Sequence, residues 1–255
     1  MLAAKAIQDS MLYSGQEAST RYIDFSNQPF LDPIGNEISR SIHTKLRAFY
    51  VNSFPKVVTH LKAQFPKQDA ETQGVYDKAI NARAFDILRG MLPSGATTNL
   101  AWHTNLRQAA DRISLLRHHV VSEIRTIGIA LETALQKKYP NSFGHKRYET
   151  TEEYNHQWMT ESYLFDPDPE TFPDFAMTFD GVDRKRLENY REMLTTRPAK
   201  TELPKIVGDS GVVRFEFLLD FGSFRDVQRH RAVIQRMPLV TTKFGVAPWY
   251  IESMP

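Results

Sequence analysis

The chain has 255 residues, no cysteine and a formal net charge of +2. Its length suits one large domain or two small ones. Without cysteine it offers no disulfide, no thiolate metal site and no cysteine nucleophile, and so small a net charge argues against nucleic acid or an anionic membrane surface as partner. No apolar run reaches about 18 residues and no secretion signal is read, so no membrane span and a cytoplasmic location are expected.

Met1 leads directly into a helix-forming run over residues 1–12, with no cap or leader, which is expected of a fragment or of a chain whose upstream part is encoded elsewhere. In residues 13–25, Gly15 permits a turn. Ser19 and Arg21 lie two apart and share one side of an extended segment, as a hydroxyl and a guanidinium meeting an anion would. An exposed strand edge has the same pattern.

A loop at 29–35 gives way to a helix from about Glu37 with an Ile38, Ile42, Leu46 and Phe49 stripe, and Pro55 starts or kinks the next segment. A further helix is expected from Glu71 to Leu92. The stretch from Arg83 to Arg117 reads as helix, irregular crossing, helix, broken at Pro93, Ser94 and Gly95. Its second helix puts Leu106, Ala109, Ile113 and Leu116 on one face. Arg107, Asp111, Ser114 and Arg117 share the other, with Arg89 at the end of the first helix and Asn105 at the entry of the second. Guanidinium, amide and hydroxyl groups drawn from two helices equip a segment to hold a phosphorylated ligand. A solvated helix face with ordinary salt bridges gives the same spacing. The next helix is expected from His118 to Lys138.

After Phe143 the character changes. The acidic, aromatic stretch 148–180 reads as loop, a helix follows from Arg184 to Leu194, and 212–219 alternates as a strand with Val213, Phe215, Phe217 and Leu219 on one side. Gly222-Ser223 turns the chain into a helix over 224–231 whose end bears Arg229, His230 and Arg231. Basic residues at a helix C-terminus satisfy the macrodipole; they also make a cationic grip on a cofactor. The end, from Trp249 to Pro255, shows no terminal element.

Two stretches together resemble the flavin-dependent thymidylate synthases. Ser14, Gln16, Ser19 and Arg21 fit the second half of the family motif R-H-R-x-x-S-x-N-x-x-S-x-R, and the run from Arg89 through Leu92-Pro93, Thr98, Trp102, Asn105 and Arg107 matches without gaps. Asp9, Ser10 and Met11 stand where the motif begins. The missing half is similar to F-G-S-F-R-D-V-Q-R-H-R at 221–231, after which Ile234, Arg236, Leu239 and Thr241 replace the second half. The chain therefore resembles the end of one synthase copy followed by the start of another. The division implied is 1–143 for the first copy, 144–204 for a linker with one helix, and 205–255 for the start of the second.

The resemblance implies an α+β fold, mostly helical in its first part, with a mixed sheet contributed by the C-terminal part. It implies a flavin-dependent methyltransferase that converts dUMP to dTMP, with FAD as cofactor and NADPH and methylenetetrahydrofolate as co-substrates. By the same resemblance Ser19 and Arg21 hold the dUMP phosphate, with Glu17, Arg89 and Arg117 around the nucleotide. Asn105 and Arg107 contact FAD, and Asp111 lies near flavin or base. Arg229, His230 and Arg231 bind flavin in a site shared with a second copy or across a homo-oligomer. No side chain acts as nucleophile and no metal is called for. The alternative is a catalytically inactive paralogue that binds nucleotide or flavin as a structural partner.

Overall fold

Asn36 opens the longest helix: its side-chain oxygen accepts from the Ser39 amide at 2.8 Å, and α2 runs over Glu37–Gln64. In the computed structural model, which describes residues 1–19, 23–230 and 232–253, this helix continues through Pro55. Proline removes one amide donor, but the face carrying Tyr50, Val57 and Leu61 is buried on both sides of it, and that packing keeps the helix whole. The expected stripe is displaced: Ile38, Ile42 and Phe49 are exposed. Helix α3 (Gln73–Leu88), capped by Thr72, packs Tyr76, Ile80, Ala84 and Leu88 into the same core. It ends at Leu88 in a single 3-10 turn, Arg89–Met91, and does not continue to Leu92.

A second core joins α1 (Leu2–Gln8) to α4 (Leu106–Leu116) and α5 (Ser122–Lys138) through Ala3, Ala6, Ile7, Leu116 and Ile124. Strands β1 (Ser14–Glu17) and β2 (Leu100–His103) pair antiparallel beside it, Ser14 opposite His103 and Glu17 opposite Leu100. The crossing before α4 is thus partly a strand. Gly15 lies in β1 and makes no turn. A Cβ there would meet the Ala101 carbonyl at 2.1 Å and the Tyr13 hydroxyl at 2.5 Å, so glycine permits the Tyr13 ring to fold over the strand pair. Residues 118–121 form the link to α5, and Gly128 lets α5 approach the end of α4, its missing Cβ lying 3.0 Å from the Arg117 amide.

The acidic stretch after a short helix α6 (Pro140–Phe143) is not all loop. Helix α7 (Glu149–Tyr163) buries Asn155, Met159 and Tyr163 at four-residue spacing, with Glu149 and Glu152 in its first turn.

The chain divides into two compact units, Met1–Asp166 with Asp220–Pro255, and Pro167–Leu219. In the second, β3 (Phe175–Asp180) and β4 (Val213–Phe217) pair antiparallel with an irregularity between Met177 and Phe179. The helix expected at 184–194 is two short ones, α8 (Arg184–Glu188) and α9 (Arg191–Thr195), and α10 spans Lys205–Gly208. The alternating residues of β4 form a strand, yet Phe215 and Phe217 are exposed. The described residues hold two separate two-stranded antiparallel sheets, so the expected mixed sheet is replaced by two local pairings within an α+β chain.

Back in the first unit, Asp220 caps α11 (Phe221–Val227), accepting from the Ser223 amide at 2.9 Å. Gly222 and Ser223 lie in its first turn, and Arg229 and His230 follow its end. A last helix, α12 (Pro248–Ser253), contradicts the expectation of an unstructured end. No helix among the described residues is long and apolar enough to cross a membrane.

Candidate functional site

The described residues singled out by motif, from Glu17 to His230, all fall in the first unit. The crossing of α11 over the turn that carries Arg89 joins Glu17, Arg89 and Arg229. Gly222 stands where a Cβ would lie 3.1 Å from the Gly90 amide and 3.2 Å from the Arg89 Cγ. Gly90 faces Tyr250 of α12, whose hydroxyl would be 2.1 Å from a Cβ on Gly90. Two glycines thus set the distance at which the helix meets the turn.

At this crossing Arg89 donates to Asp226 and lies 3.3 Å from Asp86. Asp226 also faces Arg229 at 3.4 Å, so the two arginines flank one carboxylate. Next to Asp226 on α11, Arg225 is 5% exposed and donates to Glu17 Oε1 at 2.9 Å. Lys5 of α1, 2% exposed, donates to Glu17 Oε2 at 2.7 Å and to Gln8 at 2.5 Å. Burial would raise the Glu17 carboxyl, but Lys5 and Arg225 hold it below the usual range. Burial lowers both cations in turn, with Glu17 opposing. Lys5, Arg89, Arg225 and Arg229 therefore gather around Glu17, Asp86 and Asp226.

Ser19 follows directly. The Ala18 amide donates to the Asn99 carbonyl at 2.8 Å, and the Thr98 hydroxyl donates to the Ala18 carbonyl at 3.4 Å. The strand pair thus sets the Ala18-Ser19 segment beside Thr98 and Asn99, in the middle of the second motif stretch. Arg21 and Arg231 lie outside the described residues.

At the head of α4, Asn105 is the N-cap, its Oδ1 accepting from the Gln108 amide at 2.9 Å, which leaves its amide donors facing solvent. Arg107 and Asp111 are exposed and carry no ion pair among the described residues. Arg117 departs from the expected face. It caps the end of α4 with its side chain 8% exposed, donates to both Glu152 oxygens at 2.8 and 3.1 Å, and lies 3.3 Å from Glu132. The ten-residue drift of the helix carries it off the solvent side to α5 and α7.

The donor set suits an anionic dinucleotide in part. Arg107 and His230 are exposed, and among the described residues Arg229 has an ion pair with Asp226 alone, at 3.4 Å, so these side chains offer N–H groups to an anion. Arg117 and Glu17 are committed within the protein. The sequence assigns no role to Lys5, Arg225 or Asp226, although the last two lie within the 221–231 stretch. Lys5 has one signal, a lone cation inside an otherwise apolar helical run; the pairing of Arg225 and Asp226 depends on where α11 docks.

These features belong to an α+β chain whose cationic groups come from both ends of the sequence. The model of the thymidylate synthase complementing protein family matches residues 1–141, and the chain belongs to that family, the flavin-dependent thymidylate synthases. Among its relatives are the UPF0159 proteins of Chlamydia muridarum (strain MoPn / Nigg), 26% identical over 301 residues, and of Chlamydia pneumoniae, 23% identical over 299. Each match covers 96% of this chain and 56% of the relative. The chain spans about half the length of the curated relatives it matches.

Proposed function

We propose that the protein to which this chain belongs is an FAD-dependent thymidylate synthase, converting dUMP to dTMP with methylenetetrahydrofolate as carbon donor and NADPH as reductant. The observation that carries this reading is the crossing of α11 with the Arg89 turn. It holds Arg229 beside Arg89, links β1 to α11 through Glu17 and Arg225, and gathers four cations there. Ser19 and Arg21 take the nucleotide phosphate, and Arg89 turns to it by leaving Asp226. Arg107, Arg229, His230 and Arg231 hold the flavin pyrophosphate, with Asn105 and Asp111 at the flavin or base. Bound FAD supplies the redox chemistry for which this stretch has no cysteine to substitute. The arginines orient the pyrimidine ring and stabilise negative charge that develops on it. The segments replaced at Asp9–Met11 and after Arg231 would be completed by a second synthase-like copy, in the same polypeptide or across a homo-oligomer.

A second reading, a catalytically inactive nucleotide- or flavin-binding paralogue, draws on the internal pairing of Arg89, Arg117 and Glu17. One experiment separates the two. The purified protein is given dUMP labelled at the ring hydrogen that the methyl group replaces, with FAD, NADPH and methylenetetrahydrofolate. Release of the label with formation of dTMP supports the synthase; bound flavin or dUMP without release supports the paralogue.

A further inference from the structure

A cleft of about 440 Å³ lies in the first unit, and its lining includes none of Glu17, Ser19, Arg89 or Arg107. It is where the two stretches that depart from the motif meet: Asp9, Ser10 and Met11 on one side, Ile234 and Arg236 on the other. That size is within the range of small-molecule sites.

The floor is built. Tyr163 donates to Asp9 Oδ2 at 2.6 Å, and Arg112 lies 4.0 Å from the same oxygen while donating to the Ala6 carbonyl. The Asp9 carboxylate thereby offsets the Arg112 charge. Gln228, only 8% exposed, donates its amide N–H to the Lys5 carbonyl at 3.0 Å, and its Oε1 has no partner among the described residues. Gln235 Oε1 is likewise without one. A buried amide oxygen left unpaired is costly and awaits a donor. The walls are apolar and open: Trp158 is 49% exposed, Met11 58% and Ile234 89%. At the side, Arg236 is held over the Phe165 ring at 4.7 Å and donates to the Glu161 carbonyl. With Arg112 offset by Asp9, Arg236 is the cation left over.

We propose that this cleft binds a small planar aromatic anion. The ring lies against Trp158 and the Met11 and Ile234 side chains, where a π-face meets an exposed indole. The anionic group pairs with Arg236, and a hydroxyl or exocyclic amine N–H donates to an amide oxygen of Gln228 or Gln235. The same chemistry is offered by an aromatic carboxylate and by a purine monophosphate. The site is independent of the reaction proposed above, because it shares no lining residue with that site.

The test follows the indole N–H resonances of the protein, with that of Trp158 assigned by Trp158→Phe. Para-hydroxybenzoate and adenosine monophosphate are titrated separately, with phenol as the uncharged control. The Trp158 resonance is expected to shift saturably with at least one of the anions and not with phenol, and the tighter anion identifies the source. Arg236→Gln is expected to weaken binding roughly tenfold, as for one charge-assisted hydrogen bond. Both residues are exposed, so neither variant threatens the fold, which far-ultraviolet dichroism checks. The inference is overturned if neither anion saturates, if Arg236→Gln binds as the parent does, or if the Trp102 and Trp249 resonances move in step with that of Trp158.

Discussion

Arg225 donates to Glu17 at 2.9 Å across 208 residues of chain. Lys5 holds the other oxygen of the same carboxylate, so a buried cation–anion–cation triad joins β1, α1 and α11. Such a triad fixes how α11 docks, and with it the segment that bears Arg229 and His230. Each charge surrenders hydration to enter the interior, which offsets much of the attraction within the triad.

Glu17→Gln should therefore be strongly destabilising, by about 3–5 kcal/mol, since it leaves two buried cations against a neutral amide. Replacing the whole triad by Lys5→Met, Glu17→Leu and Arg225→Leu should cost far less. Urea unfolding of the three proteins measures this; equal losses would show that the triad is not a coupled unit. The sign with pH follows from the lowered Glu17 carboxyl. Its stabilisation is present above the unfolded carboxyl value of about 4.3 and is lost as pH falls through the lower folded value.

Arg89 and Asp226 form the contact that the proposed reaction must open. Arg89→Ala should weaken dUMP binding by about 1.5–3 kcal/mol, the loss of a charged hydrogen bond. Asp226→Asn should tighten it, because Arg89 no longer has to leave an anion. Calorimetry reads both; unchanged affinity in the two variants would remove Arg89 from the nucleotide site.

Arg117 makes the opposite prediction. Its guanidinium donates to both Glu152 oxygens and lies 3.3 Å from Glu132. Burial works against its charge, but the two carboxylates keep it above the ordinary arginine value. Arg117→Ala should lower stability by about 2–3 kcal/mol through the broken bidentate pair and leave dUMP affinity of the folded protein unchanged. A variant that folds as well as the parent but binds dUMP poorly would restore Arg117 to the ligand.

His119 sets an acid limit. Burial first, then Arg112 and Arg125, push its imidazole down to about 4, and its Nδ1 accepts from the Val121 amide at 3.0 Å. The Asp9–Tyr163 pair lies alongside, the Tyr163 ring centroid 4.2 Å from that of His119. The folded state keeps His119 neutral while the unfolded chain takes up a proton below about 6.5. Stability is therefore fully present above that value and falls as pH drops from 6.5 towards 4, by roughly 3 kcal/mol at most. Urea midpoints measured at both ends of that window should converge in His119→Gln relative to the parent. An identical pH slope in parent and variant would assign the loss to other groups.

Residues whose role is local were legible in the sequence. Ala109, Ile113 and Leu116 follow helical periodicity and are buried, and the alternation of 213–217 marks a strand. The gapless motif from Arg89 to Arg107 identified the family. Long-range packing was not legible. Pro55 is tolerated because both flanks of α2 are buried, and α7 hides its core stripe among acidic and aromatic residues. Arg117 has the spacing of a solvent-facing arginine, but Gly128 brings α5 close enough to enclose it. Nothing near Arg225 announces that Glu17 will meet it.

The proposed joining of the two motif segments into one flavin-holding site is tested most directly by flavin retention. The protein is incubated with FAD, passed through gel filtration, and read for the flavin absorbance band, alongside Arg229→Ala and His230→Ala. The parent should retain flavin, and both variants should lose most of it while binding dUMP as the parent does. Retention equal in all three, or none in the parent, would contradict the joined site.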